Sequence, residues 1–181
     1  NGEFSEFPAR WAGANFSAGT KEWARDAPNS EIDFGIAASA VWERGTDTAP
    51  RLYITGALPV GYGTATVIET KLTKHARTTN GAVRAGISFG TNANNHIDVY
   101  HQLHQDAQYN ENMKMVRTLA GVNVTIQEQQ YGAVPMADGP IWMRIIVDTI
   151  NRLVVGEYST DGYNWITLGA NTLSEYTASN I

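Results

Sequence analysis

A chain of 181 residues, 43% of them apolar, is long enough to bury one sizeable core, and strand sandwiches commonly reach this length undivided. Its 13 Lys and Arg against 18 Asp and Glu give a formal charge of −5 with no long basic run, which argues against a nucleic-acid partner because phosphate affinity comes from clustered cations. The lack of cysteine excludes disulfides and thiolate metal sites, and no apolar run approaches the roughly 18 residues of a membrane span, so no membrane insertion is expected. The amino terminus carries no charged-then-apolar leader pattern, and the expectation is a mature or excised piece.

Residues Asn1 to Asn29 mix Phe4, Phe7, Trp11, Phe16 and Trp23 with Gly, Ala and charges, holding neither the period of a strand nor that of a helix; short strands and loops are expected. From Glu31 to Trp42 one alternation carries Ile32, Phe34, Ile36, Ala38, Ala40 and Trp42, which favours a strand, although Ala37-Ala38-Ser39-Ala40 would equally suit a short helix. The stretch from Glu43 to Pro50 has Gly, Asp and Pro without apolar periodicity and reads as a loop. From Arg51 onward, short alternating runs are separated by turn residues, the pattern of a sandwich. Strands are predicted at Arg51 to Thr55, Thr64 to Thr73, Val83 to Phe89, His96 to His104, Met113 to Leu119, Asn123 to Gln129, Ile141 to Asp148, Leu153 to Ser159 and Trp165 to Leu168. Asn80-Gly81, Asn92-Ala93-Asn94-Asn95, Asp138-Gly139-Pro140 and Asp161-Gly162 supply turn chemistry between them.

Candidate chemistry concentrates on the strand from His96. Alternation puts Ile97, Val99, His101 and Leu103 on one face and His96, Asp98, Tyr100, Gln102 and His104 on the other. A sugar offers CH groups to a flat aromatic surface and hydroxyls to planar polar side chains, and the second face has both. These five are therefore candidate carbohydrate-binding residues; the competing reading of the same pattern is a solvated sheet face. His101, amid apolar neighbours, reads as a core histidine. On the strand from Ile141, Trp142 and Arg144 share a face with Ile146. Beside the polar face, Trp142 could stack on a sugar and Arg144 donate to its hydroxyls, whereas the usual burial of Trp points to the core instead.

Four segments, Ala85-Gly86-Ile87-Ser88-Phe89-Gly90, Asn94-Asn95-His96-Ile97-Asp98-Val99, Met143-Arg144-Ile145 and Tyr158-Ser159-Thr160-Asp161-Gly162-Tyr163-Asn164-Trp165, carry a family likeness. Together they resemble the C-terminal concanavalin-like sandwich appended to β-xylosidases of glycoside hydrolase family forty-three. The likeness covers the latter half best and is slight before Arg51. It implies an all-β, two-sheet antiparallel sandwich of jelly-roll type, here as a single domain over residues 1–181, and a sugar-related role, since the fold also serves lectins, carbohydrate-binding modules and glucanases. Glu31-Ile32-Asp33-Phe34 resembles the carboxylate strand of retaining glucanases, but Gly35 and Ile36 stand where a further Glu would be needed to complete a pair roughly 5–5.5 Å apart. Sandwiches of this kind often hold calcium, for which the segments around Asp26, Asp33 and Asp47 could supply oxygen ligands.

The resulting expectation is a noncatalytic carbohydrate-binding module of a secreted, extracellular, polysaccharide-acting multidomain protein, with a poly- or oligosaccharide as partner. An enzyme on the same fold is the alternative. A glycoside hydrolase would need convergent carboxyls, and a polysaccharide lyase would need a base such as Tyr100 or His96 beside a cation such as Arg144. The third expectation is a structural or adhesive module.

Overall fold

In the computed structural model the described residues are 11–14, 25–26, 31–32, 51–54, 65–72, 82–92, 94–104, 112–130 and 140–175. The chain divides into two compact units, Asn1–Pro59 and Val60–Ile181. In the first, β1 (Trp11–Ala14) pairs antiparallel with β4 (Arg51–Ile54), and β2 (Arg25–Asp26) pairs antiparallel with β3 (Glu31–Ile32). Of the strand expected from Glu31 to Trp42, the part beyond Ile32 lies outside the described residues, as does the loop expected from Glu43 to Pro50.

The second unit is built from β5 (Ala65–Leu72), β6 (Ala82–Asn92), β7 (Asn95–His104), β8 (Asn112–Leu119), β9 (Val122–Gln130), β10 (Ile141–Asp148), β11 (Leu153–Ser159) and β12 (Ile166–Thr172), closed by a 3-10 turn at Leu173–Glu175. Two four-stranded antiparallel sheets result, in the orders β6-β7-β8-β9 and β12-β11-β10-β5. The all-β, two-sheet antiparallel fold expected from the sequence is therefore present, and no α-helix occurs among the described residues.

Local chemistry fixes the hairpins. Between β8 and β9, Ala120 (φ 49°) and Gly121 (φ 78°) form a two-residue turn with both φ angles positive, the geometry whose twist matches the flanking strands. Gly121 N donates to the Asn94 carbonyl at 3.0 Å and Ala120 N to Asn95 Oδ1 at 3.1 Å, tying this hairpin tip to the β6–β7 tip. Between β10 and β11, Asp148 Oδ1 accepts from Ile150 N and Asn151 N, both at 2.9 Å.

Side chains along β10 alternate without a break: Ile141, Met143, Ile145 and Val147 are buried, while Trp142, Arg144, Ile146 and Asp148 are half-buried and point away from the core. The inward row packs with Val154, Tyr158 and Leu168 of its own sheet against Ile97, Val99, Met113 and Met115 of the other. Each such side chain, fully removed from water, contributes about 1.5–3 kcal/mol of transfer free energy. Burial also pushes the Tyr158 phenol above its ordinary range.

Gly156 of β11 and Gly169 of β12 lie opposite each other in the ladder, and the next pair along is Glu157 with Thr167, so Leu168 is the extra residue of a bulge. A Cβ at Gly156 would stand 2.7 Å from Val99 Cγ2 and 2.9 Å from Met115 Sδ; at Gly169 it would meet Ile126 Cγ2 at 3.1 Å. The absent side chains let the facing sheet approach. Val99 is β-branched and stiff, so Gly156→Ala is expected to lower stability by about 1–3 kcal/mol through overpacking. Gly169→Ala is expected to cost less, and urea unfolding of the two variants should return that order.

Candidate functional site

The polar row of β7 is cross-linked to its neighbours within the sheet. Ser88 Oγ of β6 donates a short hydrogen bond to Asp98 Oδ1, and His96 Nε2 lies 3.3 Å from Asp98 Oδ2. His96 Nε2 is also 3.2 Å from Thr118 Oγ1 of β8, which donates to Asn123 Oδ1 of β9 at 2.6 Å, so the contacts run across all four strands. Farther along the same strand pair, Arg84 Nε donates to Gln102 Oε1 at 2.8 Å, and the guanidinium lies 5.7 Å from the centre of the Tyr100 ring. Gly86 and Gly90 of β6 stand opposite Tyr100 and His96, where any Cβ would run into the partner backbone within 2.5 Å.

Asp98, Tyr100 and Gln102 are buried, the Tyr100 residue only 4% exposed. The reading of this row as a solvated face is thereby overturned for these three: cross-strand hydrogen bonds compensate polar groups that water no longer reaches. The same burial leaves the Tyr100 ring little surface to offer. Outer-surface exposure on this sheet lies on its edge strands, at Gly86, Ser88 and Gly90 of β6 and at Asn123 and Thr125 of β9. His101 is buried, in line with its reading as a core histidine. His104 ends β7, and its side chain lies outside the described residues.

Trp142 and Arg144 share a face, as the alternation predicts, but they belong to the other sheet and point away from the common core on its far side. The seven candidate residues therefore do not form one site. Trp142 is half-buried on that outward face, which corrects its assignment to the core. Arg144 Nε and Nη2 both reach Glu157 Oε2 at 2.6 Å, Thr167 Oγ1 donates to Glu157 Oε1 at 2.9 Å, and the Arg144 guanidinium stacks 3.9 Å from the centre of the Trp165 ring. Lys71 Nζ of β5 lies 5.5 Å from the centre of the Trp142 ring. A Cβ at Gly162, whose φ is +79°, would sit 3.1 Å from Trp142 Cε2, so the turn can rest against the indole with glycine at this position.

That turn is held by the Asp161 carboxylate together with the Ser159 hydroxyl, which accepts from Gly162 N at 2.9 Å and Asp161 N at 3.3 Å. Asp161 Oδ1 accepts from Tyr163 N at 2.8 Å, Asn164 N at 2.7 Å and Ser159 Oγ at 2.9 Å, while Asp161 Oδ2 accepts from Asn164 Nδ2 at 2.7 Å. These donors, Asn164 foremost, hold the Asp161 carboxyl well below its usual range. The turn presents Tyr163 to solvent, 88% exposed. Sequence reasoning did not single out Glu157, Tyr163 or Lys71 as site residues. The available signal was that Glu157 is the charged residue in an otherwise uncharged strand, two positions before the Ser159–Trp165 run.

The Asp33 and Asp47 positions considered for calcium lie outside the described residues, and no side chain is described for Asp26. Among the described residues, no group of three or more His, Asp or Glu side chains is placed to hold a metal ion. None of the helices among them is long and apolar enough to cross a membrane.

No protein-family model and no curated protein matches the sequence. Among solved structures, the chain is similar to the GH43 protein BlXynB from Bacillus licheniformis, with a TM-score of 0.58 at 13% identity, over 82% of this chain and 25% of that one. A mutant of the same protein gives a TM-score of 0.48 at 18% identity, over 61% of this chain and 19% of that one. The chain thus spans a quarter or less of the length of the structures it matches. At this identity the likeness establishes the fold, a two-sheet antiparallel sandwich, in agreement with the family resemblance carried by the sequence segments.

Because its folded pKa is depressed, Asp161 contributes stability that is fully present above the ordinary carboxylate pKa of about 3.9 and is lost as pH falls toward the folded value. An Asp161→Ala variant should accordingly be less stable than the parent at pH 7, with the gap narrowing below about pH 4. Thermal melts of the two proteins across that range check the sign.

Proposed function

We propose that this chain is a noncatalytic carbohydrate-binding module of a secreted, polysaccharide-acting protein, and that it contacts sugar with the outward face of β10, β11 and β12 around Trp142, Arg144, Tyr163 and Trp165. The observation that carries the reading is a rigid turn holding an exposed Tyr163 beside two half-buried indoles and a row of planar polar groups. A pyranose or furanose presents the complementary surface, CH groups for the rings and hydroxyls for Glu69, Lys71, Asn164 and the Tyr163 phenol. A turn whose backbone is already bonded in place lowers the ordering cost of binding. The sandwich likeness to a GH43 protein supports a sugar-related context without specifying a role.

Catalysis is the weaker reading for two reasons. In the Ser88, Asp98 and His96 group it is the carboxylate that accepts from Ser88, whereas nucleophile activation needs the hydroxyl to hand its proton to the imidazole. Both Glu157 oxygens are engaged, one by Arg144 and one by Thr167, so the best-placed carboxylate of the outward face is committed to structure.

The test is retention on a panel of plant, algal and microbial polysaccharides, with and without chelator, for the parent, Tyr163→Ala and Trp142→Ala. Tyr163→Ala, at an exposed position, should leave folding unchanged and weaken binding by several-fold to about tenfold. Chelator sensitivity would add the structural calcium ion. Parent protein that binds no polysaccharide would sink the proposal and favour a structural or adhesive module.

A further inference from the structure

Resting on that reading, we infer that the outward face selects neutral glycan chains over uronate-bearing ones, and that Glu69 and Glu157 set the preference. The strand register brings Glu69 of β5, Arg144 of β10 and Glu157 of β11 side by side, with Lys71 opposite Trp142 in the adjacent row. Arg144 is the cation a carboxylate ligand would need, yet its Nε and Nη2 are spent on Glu157 and its plane lies on Trp165. With the Nε–Nη2 edge on Glu157 and the face on Trp165, only the Nη1–Nη2 edge is left toward an incoming carboxylate, which would meet there a cation already balanced by Glu157.

Charge balance points the same way. On these two rows the described side chains are Lys71 and Arg144 against Glu69 and Glu157, a sum of zero, and the whole chain carries −5. A polyanion therefore meets no attractive field, and a carboxylate laid along the Glu69–Glu157 row faces like charge as it loses water. Neutral hydroxyls meet no such barrier: each both donates and accepts, and the face offers the Glu69 carboxylate, the Lys71 ammonium and the Tyr163 phenol.

The experiment uses the full chain on matched neutral and anionic polymers: hydroxyethyl and carboxymethyl cellulose, linear galactan and polygalacturonate, unsubstituted xylan and glucuronoxylan. The expected result is retention by at least one neutral polymer, with its anionic counterpart weaker by about tenfold or more and the neutral binding little changed by added salt. Glu69→Gln removes one exposed negative charge without touching the Arg144–Glu157 pair, and should raise retention on the anionic polymer several-fold at low salt. Glu157→Gln should do the same more strongly, because it also loosens Arg144. Equal or tighter binding of an anionic polymer by the parent, or unchanged discrimination in both variants, overturns this inference while leaving carbohydrate binding standing. Retention by none of the six polymers, together with a blank panel, removes the carbohydrate-binding reading and the selectivity with it.

Discussion

Val99 and Met115 enter the space that a side chain at Gly156 would otherwise occupy, Ile126 does the same at Gly169, and this interlock between the two sheets sets the orientation of the strands around it. Interiors are packed as densely as organic crystals, so a branched side chain seated against a glycine leaves no room for a shifted register. Once Gly156 faces inward, alternation turns Glu157 outward. The bulge then adds Leu168 to the inward side and delivers Thr167 to the outward side, opposite Glu157. The polar row that holds Arg144 is thus a consequence of how the core closes one residue away.

Two local devices stiffen the outward face. Arg144 and Glu157 have side chains 24% and 13% exposed, and their mutual contacts are short. In such half-dry surroundings an ion pair is screened less than on an open surface, and the stacked Trp165 ring restrains the guanidinium further. Asp161 does for the backbone what Glu157 does for Arg144: with the Ser159 hydroxyl it accepts from the backbone donors of residues 161–164 and so fixes the backbone that carries Tyr163.

The opposite sheet uses polar side chains differently. Ser88, Asp98, His96, Thr118 and Asn123 bond to one another across four strands, while Gly86 and Gly90 let β6 lie close to the backbone that bears Tyr100 and His96. From Ile97 to Leu103, β7 is buried on both faces, apolar toward the core and hydrogen-bonded on the other side. A row whose polar side chains bond across the strands ties the sheet together.

Strand positions were largely legible from residue order. The runs Ile141 to Asp148 and Leu153 to Ser159 coincide with β10 and β11, because strict alternation between turn residues leaves few other ways to bury their apolar halves. β12 runs on to Thr172, past the expected Leu168, because the bulge breaks the alternation at Leu168 and Gly169 while the ladder with β11 continues. Within each strand the sequence also determined which residues share a face: His96 with Asp98, Tyr100 and Gln102, and Trp142 with Arg144. It did not determine which strands are neighbours, since alternation is a property of one strand and pairing joins residues as distant as Ile68 and Ile145. Only the tertiary structure placed the His96 row and the Trp142 row on opposite outer faces, covered the first and left the second half-open, because sheet membership is decided by the one arrangement in which every inward row finds a partner.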